Sequence, residues 1–256
     1  MVGSNAFQLG RFALAIGLLL FFKVSVPMAR AQPPGQIAIT ILDATTNRPT
    51  PTRVRLTRHD RPVPKLPPEA VAVMYGLWDH EDGYAYQPDS SFYVAGSFRL
   101  SLPPGTYQLS LSKGHEFLRQ QISLTVRSGQ TLRQTYRLKR WVNMAAKGWF
   151  STDGHIHIRR SPRENPLILT WLQAEDVNVG ALLRMGDFWE TYYPQYAYGE
   201  AGLYGQGNYL LTTGQEDPAR PNWATPSPSE PPTAFANATG TTFLMRYSIK
   251  CINSAV

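Results

Sequence analysis

Between Gln36 and Arg140 apolar and polar residues alternate with a period of two, and this pattern constrains the fold more than any other feature. Successive side chains of a β-strand point to opposite faces, so the alternation predicts strands with one buried face. The alternating segments are Ile37–Ile41, Val54–Leu56, Phe98–Leu102, Tyr107–Leu111, Ile122–Val126 and Leu132–Leu138. Turn signals such as Pro103-Pro104-Gly105 separate them. Five to seven short antiparallel strands without a helical pattern predict a β-sandwich over residues 36–140.

The first 31 residues have the pattern of a secretory signal peptide. Phe12–Phe22 is an unbroken apolar run that would rise only about 16 Å as a helix, about half of the hydrocarbon core of a bilayer. The small residues of Ala29-Arg30-Ala31 predict cleavage after Ala31. We therefore expect a secreted or periplasmic protein that begins at Gln32 and has no stable membrane span. An uncleaved anchor is the alternative, and Lys23 within the apolar region disfavours it.

Removal of the predicted signal peptide lowers the positive net charge of the chain. The full chain of 256 residues carries a formal charge of +7. Residues 1–31 contain three basic residues and no acid, so 22 basic and 18 acidic residues remain, a net charge of +4. No basic stripe with interleaved aromatic residues is present, which argues against a nucleic-acid partner. The single cysteine, Cys251, has no partner within the chain for a disulfide bond.

A different pattern begins at Trp141. The segment Trp149–Ile158 is predicted to be a strand that places Asp153, His155 and His157 on one face. Two imidazoles two residues apart on a strand converge on one point. Neutral imidazole nitrogens suit zinc, iron or manganese, so the pair is a candidate metal site, although a histidine pair alone also arises by chance.

An α/β pattern follows the histidine pair. A short apolar helix is predicted to end near Glu175, with its start capped either by Ser161–Glu164 or by Asn165-Pro166. Val177–Met185 then fits a buried strand.

A third strand completes this pattern. It is predicted at Tyr209–Thr213 and is followed by Glu216, as the preceding strand is followed by Asp187. Strand, helix, strand, loop and strand predict the first part of an α/β barrel over residues 141–220. Acidic residues at the C-terminal ends of its strands lie where such barrels have their active sites.

The sandwich segment resembles the carboxypeptidase-regulatory-like, or prealbumin-like, domains. Two stretches carry the resemblance: Ile37–Asp43 followed by Thr45–Pro49, and Phe98–Tyr107 with its Pro-Pro-Gly turn before Thr-Tyr. Such domains are usually accessory, which implies that residues 36–140 hold no catalytic group.

The segment that follows resembles the PHP (polymerase and histidinol phosphatase) metallohydrolases, in the branch usually labelled CehA/McbA-like. The matching stretches are Gly148–His157, Asn178–Asp187 and Gly214–Glu216, and Leu138–Met144 is like the linker to the sandwich in that branch. Three ordered motifs beside a matching accessory domain are more specific than any one of them.

The resemblance implies a site and a chemistry. His155, His157, Asp187 and Glu216 would be ligands of a divalent zinc, manganese or iron ion, and Asp187 and Glu216 would also be catalytic. Asp153 would be either a ligand or a residue that orients a histidine. Family members hydrolyse ester, amide or phosphoester bonds of small-molecule substrates with a metal-bound hydroxide. The aromatic segment Phe188–Tyr198 either lines the substrate pocket or packs over the mouth of the barrel.

The chain departs from this family after Glu216. A complete barrel takes roughly 200 residues or more, and no histidine follows His157 to supply the later ligands. Residues 221–256 form a low-complexity tail rich in proline, serine and threonine. We therefore expect a truncated or frameshifted enzyme, with the change of frame near Asn222-Trp223 and with a disordered tail, that is inactive as this chain. The alternative is a non-catalytic exported β-sandwich binding module, and the oligomeric state stays open.

Overall fold

The structure is a computed structural model that describes residues 32–63, 65–73, 87–186 and 190–216, together with the backbone of two strands at 234–236 and 242–244. The predicted signal peptide over 1–31 and Cys251 lie outside these residues, so the cleavage after Ala31 stays a prediction. In the parts that are described, no helix has the length and apolar character needed to span a membrane.

Eight strands form the first part of the chain. They are β1 (Gly35–Asp43), β2 (Thr52–Arg58), β3 (Arg61–Pro62), β4 (Phe92–Val94), β5 (Ser97–Leu102), β6 (Gly105–Ser112), β7 (Gln120–Val126) and β8 (Thr131–Leu138). One sheet has the order β5-β1-β8, and the other has the order β3-β2-β6-β7 with β4 also paired to β2. The strands predicted from the alternation are β1, β2, β5, β6, β7 and β8.

The two sheets share one apolar core, which makes this part a β-sandwich as predicted. The alternation decides which side chains enter the core: in β5, Phe98, Leu100 and Leu102 are buried while the residues between them are exposed. From the facing sheet, residues including Leu109 and Leu124 join the same cluster. Burial of large apolar side chains on both sheets stabilises the sandwich without a disulfide bond.

One pairing differs from the antiparallel prediction. The first and last strands of the sandwich, β1 and β8, run parallel, with Ile37 opposite Leu132 and Asp43 opposite Leu138. Parallel neighbours need a long crossover between them, and here the strands β2 to β7 supply it. The order of the strands in space, which the local pattern does not encode, decides this direction.

The second part of the chain forms a four-stranded sheet with one helix. Its elements are β9 (Thr152–Ile156), the helix α1 (Asn165–Ala174), β10 (Val179–Arg184), β11 (Tyr204–Gln206) and β12 (Tyr209–Gln215). The order is β11-β12-β10-β9, and β9, β10 and β12 are parallel. The α/β pattern predicted for residues 141–220 is therefore present as an open sheet in the described residues, and its closure into a PHP-type barrel stays a prediction.

Helix α1 packs against the parallel sheet at close range. Gly180 in β10 allows this approach, because a β-carbon there would lie 2.7 Å from Cδ2 of Leu172 on the helix. The helix also packs against the sandwich: Val71, Val73 and Tyr93 belong to the same buried cluster as Trp171. In β4, Phe92 and Val94 enter the sandwich core while Tyr93 faces the helix, so alternate side chains of this strand contribute to the two cores.

Buried charges join the sandwich to the end of α1. Arg140 forms a two-point ion pair with Asp176, with both N···O distances at 2.8 Å. The hydroxyl group of Tyr209 donates to the same carboxylate at 2.6 Å. Lys113 is buried and donates to the backbone oxygens of Pro51, at 3.1 Å, and of Gln173. Burial lowers the pKa of Lys113 to about 8, although Asp176 acts in the opposite direction.

Two further strands, β13 (Ala234–Ala236) and β14 (Thr242–Leu244), pair in an antiparallel ladder. They fall within the segment 221–256 that the sequence predicts to be a disordered tail, and the rest of that segment lies outside the described residues.

Candidate metal centre

Three of the predicted ligands lie at one edge of the parallel sheet. His155 is in β9, His157 follows the end of that strand by one residue, and Glu216 is the first residue after β12. The carboxyl ends of parallel strands meet at the same edge, so segments that are distant in sequence bring their side chains together there. The backbone N–H of Glu216 donates to the carbonyl of Arg184 in β10 at 2.9 Å, which holds the carboxylate beside the central strand.

The ligand atoms of these side chains converge. The Nε2 atoms of His155 and His157 are 3.0 Å apart. Oε2 of Glu216 lies 3.2 Å from the first and 2.9 Å from the second. His155, His157 and Glu216 form the one group of at least three metal-ligating side chains found among the residues that the structure describes.

These separations fit a divalent metal ion. Ligands placed about 2.1 Å from an ion at angles between 90° and 110° lie about 3.0 to 3.4 Å apart, and the observed separations of 2.9, 3.0 and 3.2 Å lie at or just below the short end of this range. Oε2 of Glu216 is buried, and it has no hydrogen bond of ordinary geometry within the described chain. This holds although Nε2 of His157 is only 2.9 Å away. A cation placed between the three atoms would satisfy this oxygen and both imidazole nitrogens.

The site is open on one side. The side chain of His155 is 60% exposed, while those of His157 and Glu216 are 25% and 30% exposed. Burial lowers the pKa of His157, against the influence of Glu216 and with that of His155, and so favours the neutral imidazole that binds metals. Two histidines, one glutamate and an open position are one of the ligand sets found in catalytic zinc sites.

An aromatic segment fixes the position of His157. The ring of Tyr193 lies against the imidazole, with the ring centres 5.0 Å apart. The backbone N–H of Tyr193 donates to the carbonyl of Met185 just beyond β10, at 3.2 Å. Nε2 of Gln195 donates to the carbonyl of Ile158 at 2.8 Å. The segment therefore ties the ends of β9 and β10 together beside the candidate centre, and sequence reasoning did not single out Tyr193 or Gln195 for this role.

The other predicted site residues have different positions. Oδ1 of Asp153 accepts a hydrogen bond from the backbone N–H of His155 at 3.1 Å, so this carboxylate supports the backbone of the ligand rather than its ring. Asp187 lies outside the described residues, as do Phe188 and Trp189 of the aromatic segment. Its predicted roles as ligand and catalytic residue stay predictions.

Comparisons with known proteins do not assign a family. No protein-family model matches the chain, and no curated protein matches it. GBS52, the minor pilin of Streptococcus agalactiae, is 15% identical over 44% of this chain and 47% of its own, with a TM-score of 0.30. BcpA, the major pilin subunit of Bacillus cereus, is 15% identical over 42% of this chain and 30% of its own, with a TM-score of 0.27. An (S)-allantoin synthase is 14% identical over 43% of this chain and 44% of its own, with a TM-score of 0.20.

The chain thus spans less than half the length of these solved structures. The assignment of a β-sandwich is based on the strands and the shared core described above. The resemblance to the PHP metallohydrolases stays a prediction from the motifs.

Proposed function

We propose that this chain is an exported protein that binds a divalent metal ion through His155, His157 and Glu216, in a centre of the type used for hydrolysis. The convergence of two imidazole nitrogens and one carboxylate oxygen within 3.2 Å of one another carries the proposal. The PHP-like motifs favour an ester, amide or phosphoester bond in a small-molecule substrate. The ligand set suits zinc, and manganese or iron would also accept it.

A divalent ion in this centre would polarise the carbonyl or phosphoryl oxygen of a substrate and lower the pKa of a water molecule. The chain's own residues supply the positioning. Tyr193 holds the ring of His157, Asp153 holds the backbone of His155, and the Arg184 carbonyl holds the backbone of Glu216. The exposed side of His155 leaves room for a substrate to approach.

Binding and turnover are separate parts of this proposal. The three convergent side chains carry metal binding, whereas turnover also depends on Asp187, which the PHP resemblance implies as a further ligand and catalytic residue. We therefore expect the native chain to bind metal whether or not it hydrolyses the substrates tested.

Metal analysis of the purified protein tests the proposal, together with ester and phosphoester hydrolysis assays before and after chelation. We expect close to one equivalent of zinc, manganese or iron after reconstitution, and any turnover should be lost on chelation. Protein that retains no metal after reconstitution would contradict the proposal.

A non-catalytic exported β-sandwich module is the second candidate. It is favoured by the sandwich core, in which eighteen buried apolar residues between Ile37 and Leu138 pack together without a contribution from the α/β segment. Absence of bound metal combined with absence of chelator-sensitive turnover would favour this candidate over the metal centre.

A further inference from the structure

A buried amine lines an open cavity where the sandwich meets the α/β segment. The cavity has a volume of about 470 Å³, and its wall includes Asp43, Lys113 and Phe117 from the sandwich side. Gln173 of α1 and Tyr209 of β12 line it from the other side. Lys113 follows directly after β6 and is 4% exposed. The three candidate metal ligands are not part of this wall, so the cavity is separate from the metal centre.

The groups that contact the Lys113 ammonium belong to the wall of the same cavity. Nζ donates to the backbone oxygens of Pro51, at 3.1 Å, and of Gln173. The ring centres of Phe117 and Tyr209 lie 5.5 and 5.9 Å from Nζ. All four contacting residues line the cavity together with Lys113. The end of this side chain is therefore at the cavity, where a small molecule can reach it.

The two hydrogen bonds of Lys113 hold its nitrogen in place and leave one position open. The carbonyl of Gln173 is among the last of α1, where carbonyls without a helical partner attract a cation. An ammonium group has three N–H donors. Among the residues that the structure describes, two acceptors are found for them. The nitrogen can therefore form one further bond without moving away from both carbonyls.

The charges around Lys113 do not offset the cost of its burial. Asp176, Asp43 and Glu175 favour the protonated amine, yet burial outweighs them. The positive charge of Arg140 acts with burial, and the pKa of Lys113 is lowered to about 8. About a quarter of this amine is then neutral at pH 7.5, against about 0.1% of an ordinary lysine with a pKa near 10.4. Neutral amines, with their free lone pair, are the nucleophilic form.

We propose that Lys113 is the reactive amine of a second site and forms an imine with a short hydroxylated aldehyde that enters the cavity. The nitrogen lone pair attacks the carbonyl carbon. Both hydrogens of the neutral amine then leave with the carbonyl oxygen as one water molecule, and a C=N bond remains. Once protonated, this imine has a single N–H, which can still donate to one of the two carbonyls that hold Lys113.

The size and polarity of the cavity indicate this class of aldehyde. Its volume of about 470 Å³ lies within the range of about 300 to 1,000 Å³ that is typical of small-molecule sites. The wall contains the side chains of Thr46, Thr170 and Gln206 beside the two aromatic rings. Hydroxyl and amide groups can form hydrogen bonds with the hydroxyl groups of a ligand.

Reductive trapping in the whole protein tests this proposal. The protein is incubated with glyceraldehyde and cyanoborohydride at pH 7.5, which converts an imine into a stable secondary amine, and the labelled peptides are mapped by mass spectrometry. Lys139 and Lys147 are exposed lysines of the same chain and serve as internal references. We expect Lys113 to be labelled at least tenfold faster than either reference. Labelling of Lys113 at or below the rate of the references overturns the proposal.

A variant that fills the cavity separates a ligand site from an amine that is merely reactive. Ala95 is exposed and lines the cavity, so Ala95→Trp should slow the labelling of Lys113 at least fivefold and leave Lys139 unchanged. Ala146→Trp places the same side chain at an exposed position outside the cavity and should have no effect. Equal labelling of Lys113 in Ala95→Trp and in the native chain would also overturn the proposal.

The aldehyde site and the metal centre can fail independently. The inference depends on Lys113 and its cavity, and it does not rest on the proposed function. His157→Ala should therefore lose zinc affinity and keep the labelling of Lys113. If Lys113 is labelled selectively while the native chain binds no metal, the proposed function fails and the amine site stands. If metal binds and Lys113 is not labelled selectively, the reverse holds.

Discussion

Oε2 of Glu216 lies 2.9 Å from Nε2 of His157, although β10 separates the strands that precede the two residues. The side chains meet because β9 and β12 run parallel on either side of β10 and end at the same edge of the sheet. A ligand pair built in this way depends on the whole α/β sheet, so binding at the centre also reports that the sheet is folded.

Replacement of one ligand should remove metal binding. We expect His157→Ala to lower zinc affinity at least about 100-fold, since two of the three ligands cannot close the centre. Isothermal titration with zinc measures the change. His115→Ala is the matched control, because His115 is an exposed histidine outside the centre. Equal zinc affinity of the native chain and His157→Ala would show that His157 is not a metal ligand.

The ion pair between Arg140 and Asp176 should contribute strongly to stability. Asp176→Asn keeps a residue that tolerates the left-handed backbone at this position, where φ is 53°. It removes the charge of a carboxylate that pairs with Arg140, alongside Glu116, and that accepts from Tyr209. We expect a loss of about 2 to 3 kcal/mol in the free energy of unfolding. Urea unfolding measures it, and Glu200→Gln on the exposed surface should change it by less than about 0.5 kcal/mol.

Lys113 should make stability rise with pH in the alkaline range. Its pKa is lowered to about 8 in the folded state by burial, whereas an unfolded lysine titrates near 10.4. Between these values the unfolded chain binds more protons, so the free energy of unfolding increases with pH. We expect a gain of about 2 kcal/mol from pH 7 to pH 10 relative to Lys113→Met, measured by urea unfolding at each pH. Parallel pH profiles of the two proteins would contradict the lowered pKa.

Two glycines of the α/β sheet should respond differently to the same substitution. Gly180→Ala places a methyl group 2.7 Å from Leu172 and should destabilise the fold by about 2 kcal/mol. Gly154→Ala introduces a methyl group with no atom within 4 Å, so we expect a change of less than about 1 kcal/mol or a small gain. Thermal unfolding of the two variants checks the contrast. A similar loss in both would show that the packing of α1 on β10 does not restrict this position.

Local patterns predicted a large part of the fold and of the candidate site. The alternation around Phe98, Leu100 and Leu102 depends only on the period of a strand, so it located β5 and its buried face correctly. The histidine pair could be found because both ligands lie on one segment. Arg160 stands beside this pair in the sequence, yet no pattern of residue types shows that its guanidinium is buried or that Glu164 pairs with Arg159 instead.

Periodicity and side-chain type are local properties, so the amino-acid sequence was enough to predict β1, β2, β5 to β10, β12 and α1, and to show which residues have the chemistry of metal ligands. Three further features could not be read from the sequence: β8 pairs parallel to β1, Glu216 meets the two histidines, and the side chain of Arg160 is buried. Each of these depends on how distant segments pack, since burial and contact across the sheet arise only when the whole chain has folded.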